Sequence, residues 1–392
     1  MEKIKIGTAR LGYPEIRCIV NNDLFDVKSL ECYDFYKYKN KLRNFLGGKG
    51  DGYIFQSLIP EKLDGLDFYH MFNYIPITDK LWGGTFETSI PRIPGIVDIH
   101  RKNNDQIDYS SNVLLKKWLK KLTENNCVFI HALSETSLNI QRKITDFYPD
   151  IKSIIDSKSC ILHPPQAIHK YNRGANFNDK LKIIFVGRDF YRKGGGEVVL
   201  AIDSLISDGL LNETDIELTL IGDLDNKYNY VHNVFQDDAF FYTKIESIIS
   251  SGKYIYHVSN LDNAALLSTM EHQDLGLLPT WGDTYGYSVL EMKSFMLPVI
   301  TTSVRALPEI NEDSNIIKLE LNMFGEIVIN SEKDKIIQRE MIISGLKSKI
   351  NKFNHDRSSL ITSARTGIEQ LKKQHDPTRY FRKVYQEISN VL

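Results

Sequence analysis

Arg188 and Lys193 lie in Val186-Gly187-Arg188-Asp189-Phe190-Tyr191-Arg192-Lys193-Gly194-Gly195-Gly196, between a compact apolar run, Leu181 to Val186, and a stretch of helical spacing, Glu197 to Ile206. A guanidinium grips two phosphate oxygens at once, whereas an ammonium is a movable point charge. Amides freed at a helix start, and the positive end of its dipole, favour an anion by roughly 0.3 to 2 kcal/mol. Together these groups suit a diphosphate whose charge grows as it departs. A solvated basic turn beside a flexible glycine loop is the other reading of the same residues.

A second constellation, Leu278-Pro279-Thr280-Trp281-Gly282-Asp283-Thr284-Tyr285-Gly286-Tyr287-Ser288-Val289-Leu290-Glu291, sets two carboxylates eight positions apart. A helix beginning near Tyr287 puts Glu291 one turn in and leaves Asp283 in the loop before it, so both can point at one ligand. The amides from Thr284 to Tyr287 lie between them, and such a set can hold sugar hydroxyls, a ribose and a phosphate. Carboxylates that only cap the helix are the alternative.

Both constellations need a scaffold of strands leading into helices, and the second half of the chain supplies it. Strand-like runs at Leu181–Val186, Ile216–Ile221, Tyr254–Val258, Leu275–Leu278 and Val299–Thr301 alternate with helical stretches at Glu197–Ile206, Asn263–Glu271 and Tyr287–Phe295. Such alternation implies parallel pairing in a doubly wound α/β sheet, whose ligands bind outside the carboxyl ends of the strands. The first half repeats the grammar faintly. Lys3–Ile6, Tyr53–Leu58, Phe68–Phe72, Gly84–Phe86 and Val128–Ile130 read as strands, Asn112–Leu122 and Ser137–Phe147 as helices. The expected division is a first domain over 1–165, a Pro-, Asn- and Gly-rich linker over 166–180, a second domain over 181–375, and a terminal helix over 376–392 crossing back to the first.

In order and spacing, these segments resemble the carboxy-terminal domain of retaining family-4 glycosyltransferases of the GT-B fold. The shared elements are Gly187-Arg188, Lys193-Gly194, Gly222-Asp223, Asp283-x7-Glu291, Pro298-Val299-Ile300 and Leu307-Pro308-Glu309. The resemblance implies two Rossmann-like doubly wound domains facing across a cleft. It implies a nucleotide diphosphate sugar, UDP- or GDP-linked, as donor on the second domain, and a glycan or lipid-linked acceptor on the first, with no metal and no other cofactor. Arg188 and Lys193, with Gly194, would hold the diphosphate. Tyr285 and Gly286 would line the donor, Glu291 would take its ribose, and Asp283 the transferred sugar. Family chemistry adds same-face attack, with a leaving phosphate oxygen taking the acceptor proton, and a setting in bacterial surface-polysaccharide synthesis. Asp283 stands where the family usually has Glu; the shorter side chain points to a different donor sugar or a weakened site.

In the first half, Glu87 in Gly83-Gly84-Thr85-Phe86-Glu87 aligns with a position that is His in some family members, and is carried over as an acceptor or sugar contact in the catalytic set with Arg188, Lys193 and Asp283. His70, among aromatics, reads as a cleft residue or a structural one. Ser134-Glu135 matches a family element or a helix cap. Asp223-Leu224-Asp225 has the form of a metal-binding pair, although its place after a strand of the second domain fits a loop of that domain better. Gly47-Gly48-Lys49-Gly50-Asp51-Gly52 lacks the Lys-[Ser/Thr] of a phosphate loop. Leu114–Leu122 sets four lysines against an apolar face, giving either a core-packed helix or a peripheral contact with an anionic inner-membrane surface.

Composition narrows the classes. Over 392 residues, 49 Lys+Arg nearly cancel 50 Asp+Glu, so no overall basic field exists to hold nucleic acid. With 42% hydrophobic residues the chain is an ordinary folded one. Cys18, Cys32, Cys127 and Cys160 are scattered and read as reduced structural thiols. No apolar run approaches the ~20 residues of a membrane span, so a cytoplasmic chain is expected. A nucleotide-sugar epimerase of the same fold, a non-catalytic nucleotide-sugar or glycan-binding protein and a periplasmic sugar receptor are the competing functions, the last opposed by the lack of a signal peptide.

Overall fold

The computed structural model describes residues 2–47, 52–93, 108–170 and 180–392. They divide into two compact units. One takes the described residues up to Pro165 and again His375–Leu392; the other takes Gln166–Gln374. Of the 166–180 segment, residues 171–179 lie outside the described residues, as do 48–51 of the first-half glycine loop.

Unit one runs β1 (Ile4–Thr8), α1 (Glu15–Cys18), β2 (Phe25–Ser29), α2 (Phe35–Phe45), β3 (Ile54–Phe55), β4 (Phe68–Phe72), β5 (Ile75–Pro76), β6 (Trp82–Phe86), α3 (Val113–Thr123), β7 (Cys127–Ala132), α4 (Glu135–Thr145), α5 (Pro149–Lys158) and β8 (Ser159–Ile161). Its main sheet is parallel, in the order β2-β1-β4-β6-β7-β8, with β3 and β5 paired separately. Strands β4 and β6 are buried at every position, as both-face coverage of a parallel sheet requires. Helix starts carry side-chain caps: Asn112 Oδ1 accepts from Leu115 N–H at 2.9 Å, and Ser134 Oγ from Ser137 N–H at 3.0 Å. Ser134 is therefore a cap.

Unit two runs β9 (Leu181–Asp189), α6 (Gly195–Ser207), β10 (Ile216–Asp223), α7 (Ala239–Ser251), β11 (Ile255–Val258), α8 (Asn263–Glu271), β12 (Leu275–Leu278), α9 (Tyr287–Ser294), β13 (Val299–Thr302), α10 (Leu307–Ile310), β14 (Ile316–Ile317), α11 (Glu332–His355) and α12 (Ser358–Gln374). The parallel order β11-β10-β9-β12-β13-β14 is that of a doubly wound dinucleotide fold, and its direction of growth reverses between β9 and β12. Both units thus carry the expected α/β architecture. The final helix, α13 (Pro377–Ser389), belongs to unit one, where Glu387 Oε2 lies 2.8 Å from His131 Nε2 and Lys383 Nζ lies 3.3 Å from Cys160 Sγ.

The lysine-rich helix is core-packed. Leu115, Trp118, Leu119 and Leu122 are buried, so the apolar face that a membrane contact through Leu114–Leu122 would need is turned inward. All four cysteines are free thiols.

Candidate functional site

In unit two the reversal point puts the loop after β9 beside the loop after β12. Arg192 laces them together: its carbonyl accepts Trp281 N–H at 3.0 Å, its Nη1 donates to Gly282 O at 2.6 Å, and its Nη2 bonds Asp189. The Tyr230 ring lies 5.2 Å from the guanidinium. On this frame Lys193 Nζ meets Asp283 Oδ2 at 2.6 Å, both side chains largely buried. Thr284 N–H donates to Asp283 Oδ1 at 2.8 Å. Burial pushes the Asp283 carboxyl up, but Lys193 and Arg192 more than reverse that and hold it below the usual carboxylate range. Burial lowers the Lys193 ammonium; Asp283 opposes this and Arg192 adds to it. Asp189 is likewise held low against burial by Arg192, Lys193 and Arg188.

The remaining predicted residues take distinct places. Arg188 is exposed at the end of β9. Gly194 is the N-cap of α6 at φ 87°, and a Cβ there would stand 2.1 Å from Pro279 O. Tyr285 is fully buried, Gly286 caps α9 at φ 94°, and Glu291 is buried within α9. Neighbouring Lys293 fixes that helix by donating to Ile310 O at 2.7 Å and Gln370 Oε1 at 2.5 Å; burial pushes its ammonium down to about 8.

The glycine triplet corrects one expectation. Gly194 and Gly195 donate their N–H groups to Tyr191 O and Phe190 O at 3.1 and 2.9 Å, so these amides close the loop on itself. A Cβ on Gly195 would lie 2.6 Å from the Phe190 ring, which shows what the missing side chain is for. Two of the amides at this helix start are thus used within the loop, which carries the cations Arg188, Arg192 and Lys193. The Asp223-Leu224-Asp225 loop also folds on itself, Asp225 N–H donating to Asp223 Oδ1 at 2.9 Å.

In unit one a row of contacts crosses the region beyond the carboxyl ends of β1, β4 and β6. Glu87 Oε1 pairs with Arg92 at 3.2 Å, and the Arg92 guanidinium lies 5.6 Å from the Tyr53 ring. Tyr53 meets Tyr74 edge-on at 5.1 Å, Arg10 lies 5.9 Å over Tyr74, and Arg10 pairs with buried Glu15 at 2.7 Å. Asn73, at φ 62°, supports Glu87 by accepting its N–H at 3.2 Å. His70 is buried, bonded to Thr85 Oγ1 at 2.8 Å and lowered to about 3 by burial, with neighbouring His131 adding to the shift. It is a neutral structural histidine.

Sequence reasoning missed Arg192, whose spacing of three from Asp189 was the available signal. It also missed Arg10, Glu15, Tyr53 and Tyr74, scattered through a half with weak periodicity. Nor did it find the fully buried Arg305–Glu326 pair at 2.7 Å. Among the described residues, His131, Cys160 and Glu387 have ligand atoms within 4.8 Å of one another, as a metal would require. There Lys383 already serves the Cys160 sulfur, so the set reads as an ionic clasp for α13.

No family model and no curated protein matches the chain. Solved structures do. HepE from Anabaena in complex with UDP aligns over 100% of both chains at 10% identity and TM-score 0.57. A trehalose-6-phosphate synthase analysed with bisubstrate glycomimetics aligns over 99% of both at 11% identity and TM-score 0.54. Sucrose-phosphate synthase from Thermosynechococcus elongatus aligns over 84% of this chain and 76% of its own at 13% identity and TM-score 0.53. At these identities the likeness is one of fold: the chain has the GT-B fold of these glycosyltransferases.

Proposed function

We propose that the chain is a retaining, metal-independent glycosyltransferase that moves a sugar from a UDP- or GDP-linked donor to a glycan or lipid-linked acceptor. The observation that carries this reading is the Lys193–Asp283 contact at the β9/β12 reversal point, which joins the two sequence constellations in one buried ionic site. Three cations, Arg188, Arg192 and Lys193, stand there against the carboxylates of Asp189 and Asp283, an excess of positive charge suited to a diphosphate. The UDP complex of HepE, a protein of like fold, supports a nucleotide donor.

In this reading a donor diphosphate draws Lys193 away from Asp283, and the released carboxylate turns to the hydroxyls of the transferred sugar. Arg192 keeps the two loops in place, and Glu291 takes the ribose. As the glycosidic bond breaks, the growing charge on the diphosphate is met by Lys193 and Arg188, and a phosphate oxygen takes the acceptor proton. The row from Glu87 to Glu15 in unit one, with ionic pairs around two tyrosine rings, has the polar and aromatic character that sugars bind, and is assigned to the acceptor. Surface-polysaccharide synthesis is what the sequence resemblance adds.

Purified protein incubated with UDP- and GDP-sugars, with and without acceptor glycans, tests the reading. Nucleoside diphosphate release that requires acceptor is expected. A new nucleotide sugar formed without acceptor would make the chain an epimerase, and binding without any turnover would make it a binding protein.

A further inference from the structure

Strands β7 and β8 pair in parallel with His131 opposite Cys160, so the two side chains stand next to each other on one face of the unit-one sheet. Helix α13 reaches that pair from above, with Tyr380, Val384 and Ile388 buried on its inner side. Lys383 and Glu387, one helical turn apart, make the contacts: Lys383 Nζ donates to Cys160 Sγ at 3.3 Å, and Glu387 Oε2 stands 2.8 Å from His131 Nε2. Sulfur, imidazole and carboxylate bring atoms within 4.8 Å of one another. His131 is fully buried, and its ring nitrogens find no backbone or hydroxyl partner, so the carboxylate and the sulfur are the groups that face it. A thiol beside an imidazole that is itself set by an acid is the arrangement that makes a sulfur nucleophilic.

The charges agree with the geometry. Burial pushes the Cys160 thiol up, but His131 and Lys383 more than reverse this and hold it below the ordinary thiol range. Burial lowers the His131 imidazolium, but Cys160 and Glu387 more than reverse that. The other thiols differ. Cys18 and Cys127 are inaccessible and are pushed up to about 12, chiefly by burial, whereas Cys32 is exposed. Cys160 is half-buried on β8, the edge strand, beside a lysine that is itself 40% exposed, a position that a small molecule can reach. A partly accessible thiolate among cations is the setting of redox-active cysteines.

We propose that Cys160 is a peroxide-reactive thiol whose oxidation opens the clasp that holds α13 on unit one. The thiolate attacks one oxygen of the peroxide, and the S–O bond forms as the O–O bond breaks. Sulfur loses two electrons to the peroxide, and the departing hydroxide takes the His131 proton and leaves as water. The product is a neutral sulfenic acid beside a neutral imidazole. Lys383 then faces no thiolate and Glu387 no imidazolium, so both ionic ties from α13 are lost in one step. A thiol reductant restores them. The site lies within unit one and does not depend on the transfer chemistry proposed above.

The full chain treated with hydrogen peroxide, trapped with dimedone and digested for mass spectrometry tests this. Cys160 should be labelled at least about tenfold faster than exposed Cys32, with Cys18 and Cys127 unlabelled. Lys383→Met and Glu387→Gln should each slow labelling of Cys160 by roughly threefold or more, because each removes a charge that sustains the thiolate–imidazolium pair. Hydrogen exchange of α13 should quicken when the wild type is oxidised and should not change when Cys160→Ser is treated in the same way. Thermal unfolding of each variant establishes that the fold survives. Cys160 labelled no faster than Cys32, labelling unchanged in the folded variants, or α13 exchange equal before and after oxidation would overturn the proposal. So would stoichiometric binding of cobalt(II) with a sulfur-to-cobalt absorption band that Cys160→Ser abolishes, because the cluster would then be a metal site.

Discussion

Lys193 Nζ lies 2.6 Å from Asp283 Oδ2, so the ammonium assigned to the donor diphosphate and the carboxylate assigned to the transferred sugar hold each other. The contact makes Asp283 a competitor of the phosphate for the same cation. Asp283→Asn should therefore bind free nucleoside diphosphate severalfold more tightly by titration calorimetry, while transfer falls by about 100-fold or more because a transition-state contact is lost. Weaker diphosphate binding in this variant would show that Asp283 supports the phosphate site and does not compete with it.

The same pair sets a pH dependence. Burial depresses the Lys193 pKa, with Asp283 opposing and Arg192 adding. A depressed lysine loses its proton as pH rises through its lowered value, so attraction for the diphosphate is present below that value and lost above it. Diphosphate affinity should decline on the alkaline side before the ordinary lysine range near about 10.4. Lys193→Ala should remove that decline, and a wild-type profile flat up to the ordinary range would contradict the assignment.

The sheet of the second half was legible because β9, β10 and β12 begin as apolar runs with Gly187, Gly222 and Pro279 after them, and α6, α8 and α9 have clear spacing, whereas α7, α11 and α12 were not foreseen. Unit one hid other elements. β2, Phe-Asp-Val-Lys-Ser, is a short edge strand with little apolar signal, and α2 went unseen because its apolar residues follow no core. Arg188, Lys193, Asp283 and Glu291 could be named as candidates from motifs, but the contact between Lys193 and Asp283 could not. It depends on β9 and β12 being neighbours, which is a property of strand order. The packing role of Gly194 and Gly195 was hidden for a related reason: Pro279 O and the Phe190 ring, which fill the space beside them, are set by tertiary packing.

Gly194 tests that packing. Alanine there would carry φ 87° and place its Cβ 2.1 Å from Pro279 O, whereas Gly209, at φ 70°, has nothing within 4 Å. Gly209→Ala should cost about 1 to 2 kcal/mol in urea unfolding, the ordinary penalty of the left-handed region. Gly194→Ala should cost about 3 kcal/mol or more, because backbone must also move. Equal losses would mean that the β12 loop yields freely.

The Arg305–Glu326 pair, both side chains essentially inaccessible, gives a further test. Glu326→Ala leaves a buried guanidinium uncompensated and should cost about 3 to 5 kcal/mol by denaturant unfolding. The double variant Arg305→Met with Glu326→Leu should lose clearly less, and additive losses would show that the pair is not coupled.

Whether unit two holds a nucleoside diphosphate through Lys193 is read from the thermal midpoint of the wild-type chain and of Lys193→Ala with UDP, GDP and their sugars. A ligand at 100 times its dissociation constant stabilises by about 2.7 kcal/mol, which such a scan resolves. UDP or GDP should raise the wild-type midpoint and leave folded Lys193→Ala unmoved at the same concentration. No response to any of these nucleotides, or an equal response in both proteins, would contradict it.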